Sequence, residues 1–306
     1  MGFSFITSAD LTAAGLDDTT LRRATARGDL HRVCRGVFLP RVDWLGFDER
    51  ERHCALVAAS RFRVRSRVVA SHESAGALWG FPVLDEWPSA VHVTDPSRST
   101  GQRTRLLVRH PGRVEFPVTL RGIPCTSAAR TAVDLALLRG FLPGLLASDF
   151  GLAAGLFSTD DLTRELFARP NARGHRSARA AVDLADARSG SPGESLSRGA
   201  MYERGIPPPE LQKEIVGSDG KTYFLDFWWP DCGVGGEFDG DVKYLDPSMR
   251  QGRSPEQVVL DERERHYAIL GSPEVDRLVR WKYATAREPA KLEAVLTAAG
   301  ISRVRR

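Results

Sequence analysis

Five carboxylates crowd one short stretch of this chain, Tyr223 to Lys243, which reads YFLDFWWPDCGVGGEFDGDVK, and three of them, Asp226, Glu237 and Asp239, fall in its apolar segments. Asp226 interrupts a strongly apolar and aromatic run, FLDFWW, where a charged group has no packing role. Two apolar segments meet at Pro230, Asp231, Cys232 and Gly233, a plausible hairpin loop that sets Asp226 opposite Glu237. Directly opposed Cβ atoms in an antiparallel pair lie about 4.5–5.5 Å apart, so two carboxylates there repel unless a cation sits between them. Glu237 and Asp239 share one face of their strand and Phe238 points to the other, toward a core. Three acids on one face suit a hard, oxygen-seeking ion, Mg2+ or Mn2+. Such an ion binds a phosphate oxygen, generates hydroxide and stabilises a leaving oxygen. Lys243 is placed to orient the water or to neutralise charge on phosphorus. Asp231, Asp241 and Asp246 read instead as solvated turn residues. Glu194 has two readings. Ser191-Pro192-Gly193-Glu194 fits a capping box, which accounts for the residue by itself; alternatively the same glutamate points from the helix start to the metal.

Positioning these groups requires a helix starting near Pro192 and strands near Glu214–Val216, Tyr223–Trp229 and Val234–Asp239. A helix over Pro255–Leu270, a strand over Val275–Tyr283 and a last helix over Glu288–Ala299, ended by Gly300, complete the pattern. The stretch RSGSPG, Arg188 to Gly193, reads as a linker in front of it. Upstream, helices are expected over Glu49–Phe62, Ser71–Trp79 and Ser127–Leu138, with further helical pieces in STDDLTRELF and ARAAVDLADAR. Short strands are expected at Val91–Thr94, Thr104–Arg109 and Ile123–Thr126.

Residues 1–40 read as a small winged helix-turn-helix. Thr7 or Ser8 caps a first helix, Asp17 or Asp18 a second through about Arg27 with Leu21 facing inward. His31–Leu39 forms a wing bent at Gly36. Arg22, Arg23 and Arg27 then lie on the exposed side of the second helix and Arg32 and Arg35 in the wing, where arginines commonly position a phosphate backbone; a solvated basic face is the plainer alternative.

Charge follows this division. Residues 1–200 hold 27 Arg and no Lys against 21 acids, whereas residues 201–306 hold 16 basic and 18 acidic residues and all five lysines. The excess of Arg over Lys is weak evidence of nucleic-acid binding by itself. Cys34, Cys54, Cys125 and Cys232 are scattered without metal-binding spacing and read as reduced thiols of a cytoplasmic protein. No secretory signal is apparent, and the apolar stretch Phe141–Phe157 is too interrupted to span a bilayer. His72 and Glu73 read as a helix start with a partly buried histidine rather than an acid–base or metal pair. Trp79, Trp87, Trp228 and Trp229 read as core rather than as stacking platforms for bases.

The stretch FLDFWWPDCGVGGEFDGDVKY resembles the PD-(D/E)XK nuclease superfamily, and more closely an actinobacterial family with a domain related to very-short-patch repair endonucleases. DERERHYAILG and LVRWKY resemble the same family's helix and RW-containing strand. The resemblance covers about Ser191 to Ala299. It implies that Asp226 is the first metal acid, that Glu237 is the acid of an E-x-K-like element, and that Glu194 is the helical glutamate. The E-x-K lysine position is Asp239 here, with Lys243 the substitute. It further implies phosphate contacts for Arg263 and Arg280, although a surface salt bridge explains the first and strand packing the second. ITSADLTAAGLDDTTLRRATARGDLHRVCRGVFL and HESAGALWGFP resemble AbiEi-type antitoxins, which implies a DNA-binding winged helix followed by a second antitoxin-like domain.

The expected architecture is therefore multi-domain α/β of the α+β kind. It comprises a winged helix over 1–45, a mixed α+β region over 46–188 and a restriction-endonuclease-like αβββαβ core over 191–306. The expected function is a nuclease using Mg2+ or Mn2+ on nucleic acid, DNA before RNA. The alternative is an antitoxin-like regulator with an inactive nuclease fold and a possible cognate toxin. No membrane partner is expected.

Overall fold

The computed structural model describes residues 2–13, 18–64, 67–240 and 255–304. Lys243, with Asp241 and Asp246, lies outside the described residues. The protein is a multi-domain α+β structure. It divides into two compact units, Met1–Gly151 with Gly155–Leu184, and Ala185–Arg306 with Leu152–Ala154. The winged helix and the mixed region thus fall within one unit.

The first unit opens with β1 (Ile6–Thr7), α1 (Ser8–Ala13), α2 (Asp18–Arg27), β2 (Leu30–Cys34) and β3 (Val37–Pro40). Thr7 and Asp10 cap α1 reciprocally: the Thr7 Oγ1 accepts from the Asp10 N–H at 3.1 Å and Asp10 accepts from the Thr7 N–H at 2.9 Å. Leu21 is buried, as its place on α2 requires. Gly36, at φ +76°, supplies the left-handed residue of the β2–β3 turn. The three strands form one antiparallel sheet in the order β1-β3-β2. Short α3 (Arg41–Gly46) and α4 (Glu49–Ser60) follow, the latter with a full Asp48–Glu51 capping box.

The remainder of this unit is a six-stranded mixed sheet and its helices. In chain order these are β4 (Val69–Ala70), α5 (His72–Trp79), β5 (Val91–Asp95), β6 (Gln102–Arg103), β7 (Leu107–Pro111), β8 (Val118–Leu120), β9 (Ile123–Cys125) and α6 (Ala128–Arg139). They are followed by α7 (Phe141–Ala153), α8 (Thr159–Phe167) and α9 (His175–Leu184). The sheet order is β6-β7-β5-β4-β9-β8, with β4–β9 and β5–β7 parallel. Cys54, Val57, Ala75, Val91, Val93 and Cys125 belong to its core. The strand expected at Thr104–Arg109 starts later, as β7. The strands β4, β6 and β8 escaped the sequence pattern because two or three residues are too few to show alternation.

The second unit runs α10 (Pro192–Arg204), β10 (Glu210–Val216), β11 (Thr222–Trp229), β12 (Val234–Asp239), α11 (Pro255–Leu270), β13 (Arg277–Lys282), α12 (Tyr283–Ala286) and α13 (Pro289–Ala298). Its sheet order is β10-β11-β12-β13, antiparallel except for the parallel β12–β13 pair. The β11–β12 loop is a 3-10 turn over Pro230–Cys232 closed by Gly233. Phe227 stacks on Trp281 at 5.2 Å, and Trp281 Nε1 donates to Ser197 Oγ of α10 at 2.8 Å. Trp228 and Trp229 are core residues, each 3% exposed. All four cysteines are free thiols. Among the described residues no helix is long and apolar enough to cross a membrane.

Candidate active site and nucleic-acid interface

Positions in the second unit follow from β-register. The β11–β12 ladder pairs Trp229 with Val234, Trp228 with Gly235 and Phe227 with Gly236. Asp226 stands at the end of this ladder, and its carboxylate accepts from the Phe238 backbone N–H at 2.8 Å. The first of the three acids therefore satisfies a strand amide where the backbone pairing stops.

Glu194 reaches the same corner from α10. Ser191 Oγ accepts from the Glu194 N–H at 3.2 Å and donates to Glu194 Oε1 at 2.9 Å, while Oε2 accepts from the Gly190 N–H at 2.9 Å. The capping role is thus real, but the glutamate is also shared with β10. Gln212 Nε2 donates to Glu194 Oε2 at 3.1 Å and to Asp226 Oδ1 at 3.4 Å. Gln212 has φ +53°, a left-handed backbone uncommon outside glycine, and such strain persists where surrounding structure holds it. Close approach of α10 to β12 depends on Gly193, where a Cβ would lie 2.0 Å from the Phe238 ring.

Glu237 is 4% exposed. Parallel pairing sets it beside Arg280, whose Nη2 is 2.7 Å from Oε2. Arg265 of α11 approaches the other oxygen at 2.7 Å and donates from the same Nη2 to the Phe224 carbonyl at 3.0 Å. The Arg265–Oε1 approach is a charge contact without hydrogen-bond alignment. Burial pushes the Glu237 carboxyl above its ordinary range against the pull of both guanidinium groups, and the charges of Asp226 and Asp239 push the same way. Asp239 is half-buried and registers with Lys282 across the parallel pair.

Both oxygens of Glu237 face arginines, and one oxygen of Asp226 is committed to a backbone N–H. Among the described residues, ligand atoms of three or more His, Cys, Asp or Glu side chains lie within 4.8 Å of one another only at His72, His92 and His110. Arg265 and Arg280 supply the counter-charges of Glu237. Arg280, expected to contact phosphate, turns onto Glu237 because the β12–β13 register makes the two neighbours. Arg263 is exposed and lies over the Tyr267 ring at 5.7 Å. Gln212 and Arg265 escaped the sequence reading: Gln212 falls in no motif and Arg265, though inside DERERHYAILG, has no role legible there; the neighbouring strand and helix reveal them.

The winged helix gathers its arginines differently. Arg22 of α2 and Arg32 and Arg35 of the wing line one surface cavity of about 780 Å3. Arg63, which follows α4 and carries no signal in the sequence, lines the same cavity. All four side chains are exposed. Arg23 and Arg27 are also exposed, Arg27 with its Nε 2.9 Å from Asp29.

Residues 1–41 match a family described as transcriptional regulator, AbiEi antitoxin. The crystal structure of the RV2827C protein from Mycobacterium tuberculosis shares 16% identity, covers 63% of this chain and 74% of its own, and gives a TM-score of 0.37, too slight a likeness to bear on the fold. Two curated relatives from Mycobacterium tuberculosis are 30% identical to this chain over 222 residues, which is 72% of this chain and 78% of each relative. They are uncharacterized protein Rv2248 of strain ATCC 25618 / H37Rv and uncharacterized protein MT2308 of strain CDC 1551 / Oshkosh. At that identity and coverage, the chain belongs to the family of these mycobacterial proteins.

Proposed function

We propose that this protein is a DNA-binding regulator of the AbiEi antitoxin type, cytoplasmic and paired with a cognate toxin, whose second unit has a nuclease-like arrangement held in a charge-neutralised state. The observation that carries the reading is the convergence of Arg22, Arg32, Arg35 and Arg63 on one exposed cavity beside α2 and the wing. Arginines so placed grip phosphates on either side of a helix laid in the major groove. The family match over residues 1–41 supports the same reading.

A second reading keeps the acids as a nuclease centre using Mg2+ or Mn2+. It is favoured by the line Glu194–Gln212–Asp226, which brings the two glutamate- and aspartate-bearing elements to one corner. It requires Arg265 and Arg280 to release Glu237, with Asp239 and Lys243 completing the site.

One experiment separates the readings. Duplex and supercoiled DNA are incubated with the full chain in Mg2+, in Mn2+ and in EDTA, and both mobility and cleavage are followed. The regulator shifts DNA without cutting it. Changing Arg32, Arg35 and Arg63 together to Ala lowers affinity and reduces the salt slope by about one for each phosphate no longer neutralised. Undiminished affinity and slope would overturn the interface; EDTA-sensitive cleavage that disappears in Glu237→Ala would establish the nuclease instead.

A further inference from the structure

The first unit contains a polar cluster that DNA binding does not use. His72 begins α5, His92 lies on β5 and His110 on β7, the parallel neighbour of β5. One ligand nitrogen from each lies within 4.8 Å of the others. His92 Nδ1 and His110 Nε2 are 3.1 Å apart. Two nitrogens bound tetrahedrally to one zinc at about 2.0–2.1 Å are separated by about 3.3–3.4 Å, so this pair already stands near ligand spacing. Glu73 Oε2, itself buried, is 3.0 Å from the same His92 Nδ1. The other oxygen of Glu73 faces Arg139 Nε at 3.6 Å.

Two nitrogens and a carboxylate oxygen thus face one another, and a single ring proton joins His92 Nδ1 to only one of its two neighbours at a time. A buried carboxylate oxygen without a hydrogen bond costs free energy unless a cation answers it. The backbone is held for this arrangement. His72 sits at φ +52°, a left-handed conformation that costs a non-glycine residue energy and marks positions where structure imposes a side-chain direction. Ser71 Oγ lies 2.9 Å from His72 Nδ1, the kind of contact that outer-shell partners of metal-bound histidines make. His72 also lines a cavity of about 600 Å3 with Asp134, Arg139 and Arg173.

We propose that His72, His92 and His110 form a site for a divalent transition ion, Zn2+ being the natural occupant of three imidazoles with the fourth tetrahedral position open to solvent. The ion takes the place of the His92–His110 hydrogen bond and of the 3.7 Å stack between His72 and His110, which His72 leaves by rotating about its side-chain bonds. Imidazole ligands select Zn2+ over Mg2+, which prefers oxygen donors. The site is independent of the acids in the second unit.

The test uses the full chain, stripped with a chelator and titrated with Co2+ and then Zn2+. One equivalent of Co2+ should produce the visible d–d absorption of a four-coordinate ion, and Zn2+ should displace it. His110→Ala and His92→Ala should each weaken binding more than the 10–100-fold expected for removal of an outer-shell partner. Circular dichroism establishes that the variants fold, and the wild-type spectrum requires no variant at all. Absence of a four-coordinate spectrum in wild type, unchanged affinity in folded His110→Ala, or loss of the signal in Glu237→Gln would each overturn the proposal.

Discussion

The acidic corner of the second unit and the histidine cluster of the first solve one problem in opposite ways. Both bury titratable groups against a sheet. Glu237 stays beside two cations, so its charge is answered by Arg265 and Arg280. The histidines have no such counter-charge on all sides, and burial answers by keeping them uncharged: His53 and His110 titrate only at about 4. His53, at the edge of the cluster, lies 2.9 Å from Ser74 Oγ and stacks on Trp87. Paired charge makes a site sensitive to removal of a partner; suppressed charge makes it sensitive to acid.

Acid is the largest lever on that contrast. A histidine whose folded pKa is depressed stabilises the fold fully above its unfolded value, and that stability is lost as pH falls toward the folded value. For His53 the window runs from 6.5 down to about 4, a contribution on the order of 3 kcal/mol. His72 and His110 act in the same direction. Asp134 runs the other way: raised to about 6 by burial, it favours the fold below 3.8 and loses that effect as pH rises through about 6. The three histidines dominate. In metal-free protein, hydrogen-exchange protection of the β5 amides should fall across this window, and His53→Gln should flatten the dependence. A profile that His53→Gln leaves unchanged would show that its burial is not what the acid disrupts.

Removing a partner is the corresponding lever on the acidic corner. Arg280→Ala leaves a buried carboxylate with one cation fewer. Breaking a fully buried pair costs about 3–5 kcal/mol. Arg280 and Arg265 are 24% and 36% exposed, so solvent screening brings the expected loss nearer to about 2 kcal/mol at pH 7. Because Glu237 already titrates above its ordinary range, the loss should shrink as pH falls and the carboxyl protonates. Urea midpoints at pH 7 and pH 4.5 read both effects. If added Mg2+ restores the stability of Arg280→Ala, an ion can replace the guanidinium, and the nuclease reading gains.

The smallest expected effect leaves the charges alone. Trp281→Phe keeps an aromatic ring against Phe227 but removes the indole N–H donated to Ser197 Oγ. A loss of about 1 kcal/mol in stability, read from the urea midpoint, is expected, with DNA binding unchanged. An equal loss in DNA affinity would show that the second unit contributes to binding.

The two clusters also differ in how far they can be read from sequence. Asp226, Glu237 and Asp239 lie within one hairpin, and two-residue strand periodicity places them with little else known. The winged-helix arginines are similarly local, because α2 and the β2–β3 hairpin are consecutive in the chain. The histidines come from a helix start and two strands joined through a parallel pairing, and the motif HESAGALWG alone points to an ordinary helix N-terminus. Arg63, Arg265 and Gln212 were missed for the same reason: nothing in their neighbourhoods in the chain names their partners.

By itself, then, the sequence determined the longer elements, the hairpin that brings Asp226 toward Glu237, and the basic winged helix. These depend on short-range periodicity, turn chemistry and caps, which act over a few residues. Tertiary structure alone decided what each charged group meets. The parallel β12–β13 register set Arg280 beside Glu237, and the parallel β5–β7 register set His110 near His92. Parallel neighbours are joined by long crossovers, so their register is set by packing across the sheet and not by the turn that links them.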